Sequence, residues 1–243
     1  VVSRTFILPV ISPFRLDLTA WALRRRNINI IDQWDGKCYS RIFVFNNNPV
    51  KVTLIQEGTG TEQKVNITLQ SEQYITPQIQ KEVRSLIHQM FGIAIVLQPF
   101  YLLANTNDIL KSLVEQFKGV KPPRFPTIFE ALINSIACQQ VTLSLGILIL
   151  NRLSENFGVQ FIENNNISYA FPRPEDLIEV SEEEIKKLGF SYQKARAIKE
   201  LATAVFTKKI ELTNLENMTN AEVVTYLSTI RGIGRWSAEY VLL

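Results

Sequence analysis

The sequence predicts an α+β N-terminal domain, an antiparallel sheet with helices, followed by an all-α core. Three observations carry that reading. Apolar residues alternate with period two over the first 74 positions and switch to a period of 3.6 after about residue 92; within the later region the proline-rich stretch Gly119-Val120-Lys121-Pro122-Pro123-Arg124-Phe125-Pro126 separates two lobes. The division expected is an α+β domain over 1–92, a helical connection and proline-rich linker over 93–126, and a helical core over 127–243.

Each element follows from its local pattern. Residues 3–10, 27–34, 38–45, 50–56 and 63–69 read as strands, with turn chemistry at Asp35-Gly36, Asn46-Asn47-Asn48-Pro49 and Glu57-Gly58-Thr59-Gly60. Four of the five form an antiparallel meander, and a short helix over 16–26 stands between the first two. Thr76 as N-cap, Pro77 at the first helical position and Gly92 as the stop define a helix over 77–91. Beyond residue 92 no strand pattern is found, and helices are predicted over 107–117, 127–139, 141–157, 181–188, 192–207, 219–229 and 235–243. Two starts carry capping boxes, Ser181 with Glu184 and Thr219 with Glu222, in which each side chain satisfies an amide that the first turn leaves open. The run Asn164-Asn165-Asn166 reads as a loop.

Composition bounds the chemistry. With 46% hydrophobic and 20% charged residues there is enough apolar material for one large or two ordinary cores, which excludes a disordered chain. The most apolar run, 143–150, is far shorter than the roughly 18–20 residues of a bilayer span, so a soluble protein without a membrane partner is expected. One histidine, His88, and two distant cysteines, Cys38 and Cys138, exclude Cys/His zinc sites, Cys₄ clusters and disulfide frameworks; neither metal nor cofactor is expected. The thiols read as reduced core residues and no signal-peptide pattern precedes Ser3, which points to a cytoplasmic protein. Chemistry is left to carboxylates, amides, hydroxyls and aromatics. The net charge of +3 is a weak pointer to partners, although residues 186–243 hold nine bases against five acids and give one face that attracts phosphate.

The sharpest feature is a capped helix that ends in the turn Ile230-Arg231-Gly232-Ile233-Gly234, after which another helix begins at once with Arg235-Trp236. Glycines adopt positive φ and leave backbone uncovered, so the amides of Gly232, Gly234 and Arg235 are available at a helix N-terminus. Those donors and the positive end of the helix dipole suit a phosphate oxygen, while Ile233 points inward and pins the turn. A tight helix connection with no ligand has the same Gly-x-Gly pattern, and an aromatic pair four apart, Trp236 and Tyr240, serves core packing as readily as a pocket.

The longer string Leu227-Ser228-Thr229-Ile230-Arg231-Gly232-Ile233-Gly234-Arg235-Trp236-Ser237-Ala238-Glu239-Tyr240 resembles the helix-hairpin-helix motif of the DNA glycosylase superfamily, specifically its 3-methyladenine DNA glycosylase II branch. Phe129-Glu130-Ala131-Leu132-Ile133-Asn134-Ser135-Ile136-Ala137-Cys138-Gln139-Gln140-Val141 is similar to the helix and turn that open the glycosylase core. Leu188-Gly189-Phe190-Ser191-Tyr192-Gln193-Lys194-Ala195-Arg196-Ala197-Ile198 is similar to the family's Leu-Gly…Lys-Ala-x-x-Ile segment. The three matches stand in family order behind an α+β lobe of the right kind.

The resemblance implies a monomeric enzyme that acts on damaged double-stranded DNA. Such an enzyme rotates a damaged nucleotide out of the duplex and hydrolyses its N-glycosidic bond, a first step of base excision repair. It implies a wedge at Gln140, with Gln139 beside it, filling the vacated stack; without the family the two glutamines cap a helix end. It implies a base pocket that includes Trp236 and Tyr240, whose electron-rich faces favour a base carrying positive charge. The hairpin residues Arg231, Gly232, Ile233, Gly234 and Arg235 are then the phosphate contact. Arg231 departs from the proline common in the family and adds a cation. Trp236 stands where bifunctional relatives carry a Schiff-base lysine, so a monofunctional hydrolase of 3-methyladenine and related bases is implied. The family's catalytic aspartate falls beyond Leu243, so no residue here takes that role; Glu239 reads as a solvated helix position, and the core is expected to be C-terminally incomplete. The alternative is a non-catalytic helix-hairpin-helix DNA-binding module.

Overall fold

A computed structural model describes residues 1–242, and the chain divides into two compact units, Val1–Asn27 with Asp32–Arg124, and Ile28–Ile31 with the residues from Phe125 onward. The first unit holds β1 (Val2–Pro9), α1 (Leu16–Arg24), β2 (Gln33–Trp34), β3 (Cys38–Phe45), β4 (Asn48–Glu57), β5 (Lys64–Ser71), α2 (Pro77–Phe91), α3 (Gln98–Ala104) and α4 (Asp108–Phe117). Its five strands are all antiparallel in the order β1-β5-β4-β3-β2, so β2 to β5 form the expected meander and β1 closes the far edge. Period-two alternation places Val50, Val52 and Leu54 of β4 and Val65, Ile67 and Leu69 of β5 on one buried face. That face packs with Leu16 and Ala20 of α1 and Val83 and Ile87 of α2. Asn46 and Asn47 both have positive φ, 51° and 61°, the two-residue hairpin geometry whose twist matches that of the strands. The turn is therefore narrower than expected, and Asn48 and Pro49 already belong to β4. Thr76 accepts from the amide of Ile79 and Gly92 ends α2 at φ 55°, as their residue types predict. Lys121 is buried, its Nζ donating to the carbonyls of Ile11 and Ile95, and burial pushes its pKa down.

The predicted strand over 27–34 is corrected: only Gln33–Trp34 pairs in the sheet. The cause is tertiary. Asn151 Nδ2 donates to the carbonyl of Ile28, its Oδ1 accepts from the amide of Ile30, and Ile31 lies in the core of the helical unit.

The second unit contains α5 (Ile128–Cys138), α6 (Leu143–Phe157), β6 (Gln160–Glu163), β7 (Asn166–Tyr169), α7 (Pro174–Leu177), α8 (Glu182–Lys187), α9 (Tyr192–Phe206), a 3₁₀ helix (Leu212–Asn217), α10 (Asn220–Leu227) and α11 (Arg235–Val241). The expectation that no strand follows residue 92 is overturned by the β6–β7 hairpin, whose turn residues Asn164 and Asn165 have φ 49° and 65°. Four-residue strands carry too little alternation to be seen against a helical background. The short helices α3 and α7, each with proline in its first turn, were also unpredicted. Both capping boxes form, Ser181 with Glu184 and Thr219 with Glu222. The last predicted helix ends at Val241, and Leu243 lies outside the described residues.

The centre of this unit is α5, buried from Phe129 through Ala137, with Ile149 and Leu153 of α6 and Ile198 and Leu201 of α9 in the same cluster. A methyl group at Gly146 would stand 2.6 Å from Sγ of Cys138, so this glycine lets α6 approach the end of α5 closely. Both cysteines are free thiols. Among the described residues no helix is long and apolar enough to cross a membrane.

Candidate functional site

The turn between α10 and α11 is built from local rules. The capping box starts α10, which ends at Leu227; the amide of Ile230 then bonds the carbonyl of Leu227 and that of Ile233 bonds Ile230. Ile230 and Ile233 are buried in the helical core while Gly232 and Gly234 are exposed, so the turn is held by its apolar residues and shows its glycines to solvent. Burying an isoleucine stabilises by about 1.5–3 kcal/mol, which is the anchoring energy available to such a turn.

The two glycines are there for different reasons. Gly232 has φ 78°, and a Cβ on it would meet the Cβ of Ala197 at 2.7 Å. Gly234 has φ −90° and is the N-cap of α11, with nothing within 4 Å of the position a Cβ would take. No side chain caps the first turn of α11. The space over Gly234 is open, and the first amides of α11 face it uncovered by a capping side chain.

The hairpin cations already have partners. Arg231 Nε lies 2.7 Å from Glu200, which also accepts from Arg196 at 2.8 Å, and Arg235 Nε lies 2.8 Å from Glu239 one turn on. The Arg196 hydrogen bond, followed by that of Arg231, holds the Glu200 carboxyl below the usual range.

A groove of about 760 Å³ lies beside this turn, and Gln139, Gln140, Arg231, Gly232, Ile233, Gly234 and Trp236 all line it, with Cys138 and Ser237. Arg235 and Tyr240 stand outside its lining, on the same short helix. Trp236 is 58% exposed and stacks on Tyr240, with ring centroids 5.6 Å apart and planes 17° from parallel. Phe125 extends the aromatic series, 6.0 Å from Tyr240. Sequence reasoning missed Phe125; the only available signal was an aromatic residue at the end of a proline-rich stretch. The groove lining includes no carboxylate and no histidine, and among the described residues no cluster of His, Cys, Asp and Glu suits a metal ion.

Opposite the hairpin, α5 ends in a turn whose two glutamines differ. Gln139 is engaged, its Nε2 donating to the carbonyl of Gly232 at 2.8 Å and to Oγ of Ser237 at 3.0 Å. Gln140 is exposed at φ 53°. Lys194 of α9 donates to the carbonyls of Ala137 and Gln139, at 2.9 and 2.6 Å, and burial lowers its pKa.

Comparison with known proteins places this geometry among relatives. Residues 133–238, which include the glutamine turn and the hairpin, match the family described as HhH-GPD superfamily base excision DNA repair protein. A protein named DNA-3-methyladenine glycosylase from Bacillus subtilis is 27% identical over 163 residues, 67% of this chain and 54% of the relative. DNA-3-methyladenine glycosylase 1 of Schizosaccharomyces pombe is 32% identical over 145 residues, 58% of this chain and 60% of the relative. The matched region thus spans a little over half the length of these curated relatives. A solved 3-methyladenine DNA-glycosylase from Archaeoglobus fulgidus has the same fold, with a TM-score of 0.81 over 98% of this chain and 78% of that one, at 22% identity.

Proposed function

We propose that this chain, which belongs to the HhH-GPD superfamily, is part of a monofunctional DNA glycosylase that removes alkylated bases, 3-methyladenine and its kin, from duplex DNA. The observation that carries the reading is the convergence on one groove of an exposed positive-φ glutamine, a glycine turn with open space over Gly234, and an exposed tryptophan stacked on a tyrosine. Each part has a task in base flipping. The uncovered amides at the start of α11 take a phosphate oxygen without any unpaired cation, which suits a hairpin whose arginines are bound to Glu200 and Glu239. Gln140 enters the vacated stack and hydrogen-bonds the orphaned base. Trp236 and Tyr240 receive the extruded base, and cation–π attraction favours one made positive by alkylation of a ring nitrogen. Tryptophan at 236 offers no amine for a Schiff base, so water is the nucleophile and an abasic site the product.

The absence of a carboxylate from the groove lining favours a second reading, a DNA-binding module without chemistry. Incubating the full-length protein with N-methylated duplex DNA and separating free bases by chromatography decides between them. Release of methylated purine by the wild type, sharply reduced in Trp236→Ala, is the expected result. Duplex binding with no base released selects the module, and release of 8-oxoguanine or uracil instead moves the protein to another branch.

A further inference from the structure

We infer that Gln139 is a positioning residue that ties the turn carrying Gln140 to the hairpin, so that wedge and phosphate contact move as one piece; the inference rests on the DNA-binding reading above. A glutamine amide has two N–H donors, and here both are spent across the groove, on the carbonyl of Gly232 and on Oγ of the buried Ser237. Gly232 is the residue whose φ of 78° gives the hairpin its shape, and Ser237 lies in the first turn of the helix that follows. One side chain therefore holds both halves of the hairpin. From the other side Lys194 grips the carbonyls of Ala137 and Gln139, fixing the backbone from which Gln140 projects.

Gln140 itself sits at φ 53°, in the left-handed region that residues other than glycine rarely enter. For a glutamine, which lacks the local side-chain bonding that lets asparagine enter this region, support from neighbouring residues favours the conformation. The two anchors on its neighbour give that support. Residues 139 and 232 are 93 positions apart, and this bond joins two segments that nothing in their local sequence relates.

The test uses a duplex with a tetrahydrofuran abasic-site analogue opposite 2-aminopurine, whose fluorescence reports how the orphaned base is stacked. Wild-type protein is expected to change the fluorescence at saturation, and Gln140→Ala to lose that change. Gln139→Glu keeps the size and shape of the side chain but loses both donors. Read per bound complex, so that repulsion between the new carboxylate and phosphate does not enter, it is expected to lose at least half of the saturating change. Added to Gln140→Ala, it should remove no further fluorescence change. Ser237→Ala, which deletes one of the two acceptors, should give a partial loss and serves if Gln139→Glu does not fold. A folded Gln139→Glu protein that keeps the full change per bound complex, with only a lower melting temperature, overturns the inference. A wild-type protein that neither binds the duplex nor alters its fluorescence overturns the DNA-binding reading itself.

Discussion

A methyl group added at Gly232 meets two independent obstacles, and the structure gives the size of each. At φ 78° an L side chain costs about 1–2 kcal/mol relative to glycine. Its Cβ would also lie 2.7 Å from Cβ of Ala197, a residue 1% exposed in α9 whose own methyl has no other rotamer to adopt. Overpacking of that kind costs typically about 1–3 kcal/mol. Gly232→Ala should therefore destabilise the helical unit by about 2–5 kcal/mol, or roughly 5–20 °C in melting temperature. Denaturant and thermal unfolding followed by circular dichroism measure it. The two causes separate in an Ala197→Gly background, which itself loses about 1 kcal/mol as a glycine within a helix. There the added cost of Gly232→Ala should fall to its backbone part, about 1–2 kcal/mol. A cost under about 1 kcal/mol in the wild type, or the same cost in both backgrounds, would refute the reasoning. Gly234→Val supplies the contrast: with φ −90° and empty space around it, it should cost no more than about 1 kcal/mol as a poorer N-cap. Its expected effect is weaker duplex binding whatever the lesion, because the branched side chain covers the amides; unaltered affinity counts against the hairpin's role.

Two further outcomes test the surroundings of the site. Glu200 is held below the usual carboxyl range by Arg196 and then Arg231, so its contribution is present above the unfolded pKa of about 4.3 and fades as pH falls through the lower folded value. Glu200→Gln should flatten the acid limb of a melting-temperature profile below the ordinary carboxyl range, by under about 1 kcal/mol since all three side chains are partly exposed; an unchanged limb would disprove the tie. Asn151→Leu removes the two hydrogen bonds to Ile28 and Ile30 and should cost about 1–3 kcal/mol, with faster hydrogen exchange over 28–31 as its local signature. Exchange at the wild-type rate there would show that the segment is held by its apolar contacts instead.

Features fixed by near neighbours are legible in the sequence. Capping boxes, the Thr76-Pro77 start, the Gly92 stop and the meander each depend on residues within a few positions of one another, and all appear in the structure. The hairpin string could also be read, because its glycines and Ile233 answer to a turn only five residues long. The failures have the opposite character. Residues 28–31 alternate like a strand yet are captured by Asn151, more than 120 positions away along the chain. The β6–β7 hairpin is too short to declare a period, although its Asn164-Asn165 turn is plain once paired with the same device at Asn46-Asn47.

The division holds at the groove. Sequence alone determined the parts: an inward Ile233 between two glycines, aromatics four apart on α11, and a pair of glutamines at the end of α5, because helix periodicity and backbone freedom are properties of a few consecutive residues. Only the tertiary structure decided how they are used. It separated Gln139 from Gln140 by giving one two acceptors across the groove and the other a positive φ, and it matched Arg231 with Glu200. It also set Phe125 against Tyr240 and distinguished a glycine that cannot carry a methyl from one that can. Those outcomes turn on distances between atoms far apart in the chain, which packing of the whole helical unit sets and no local pattern contains.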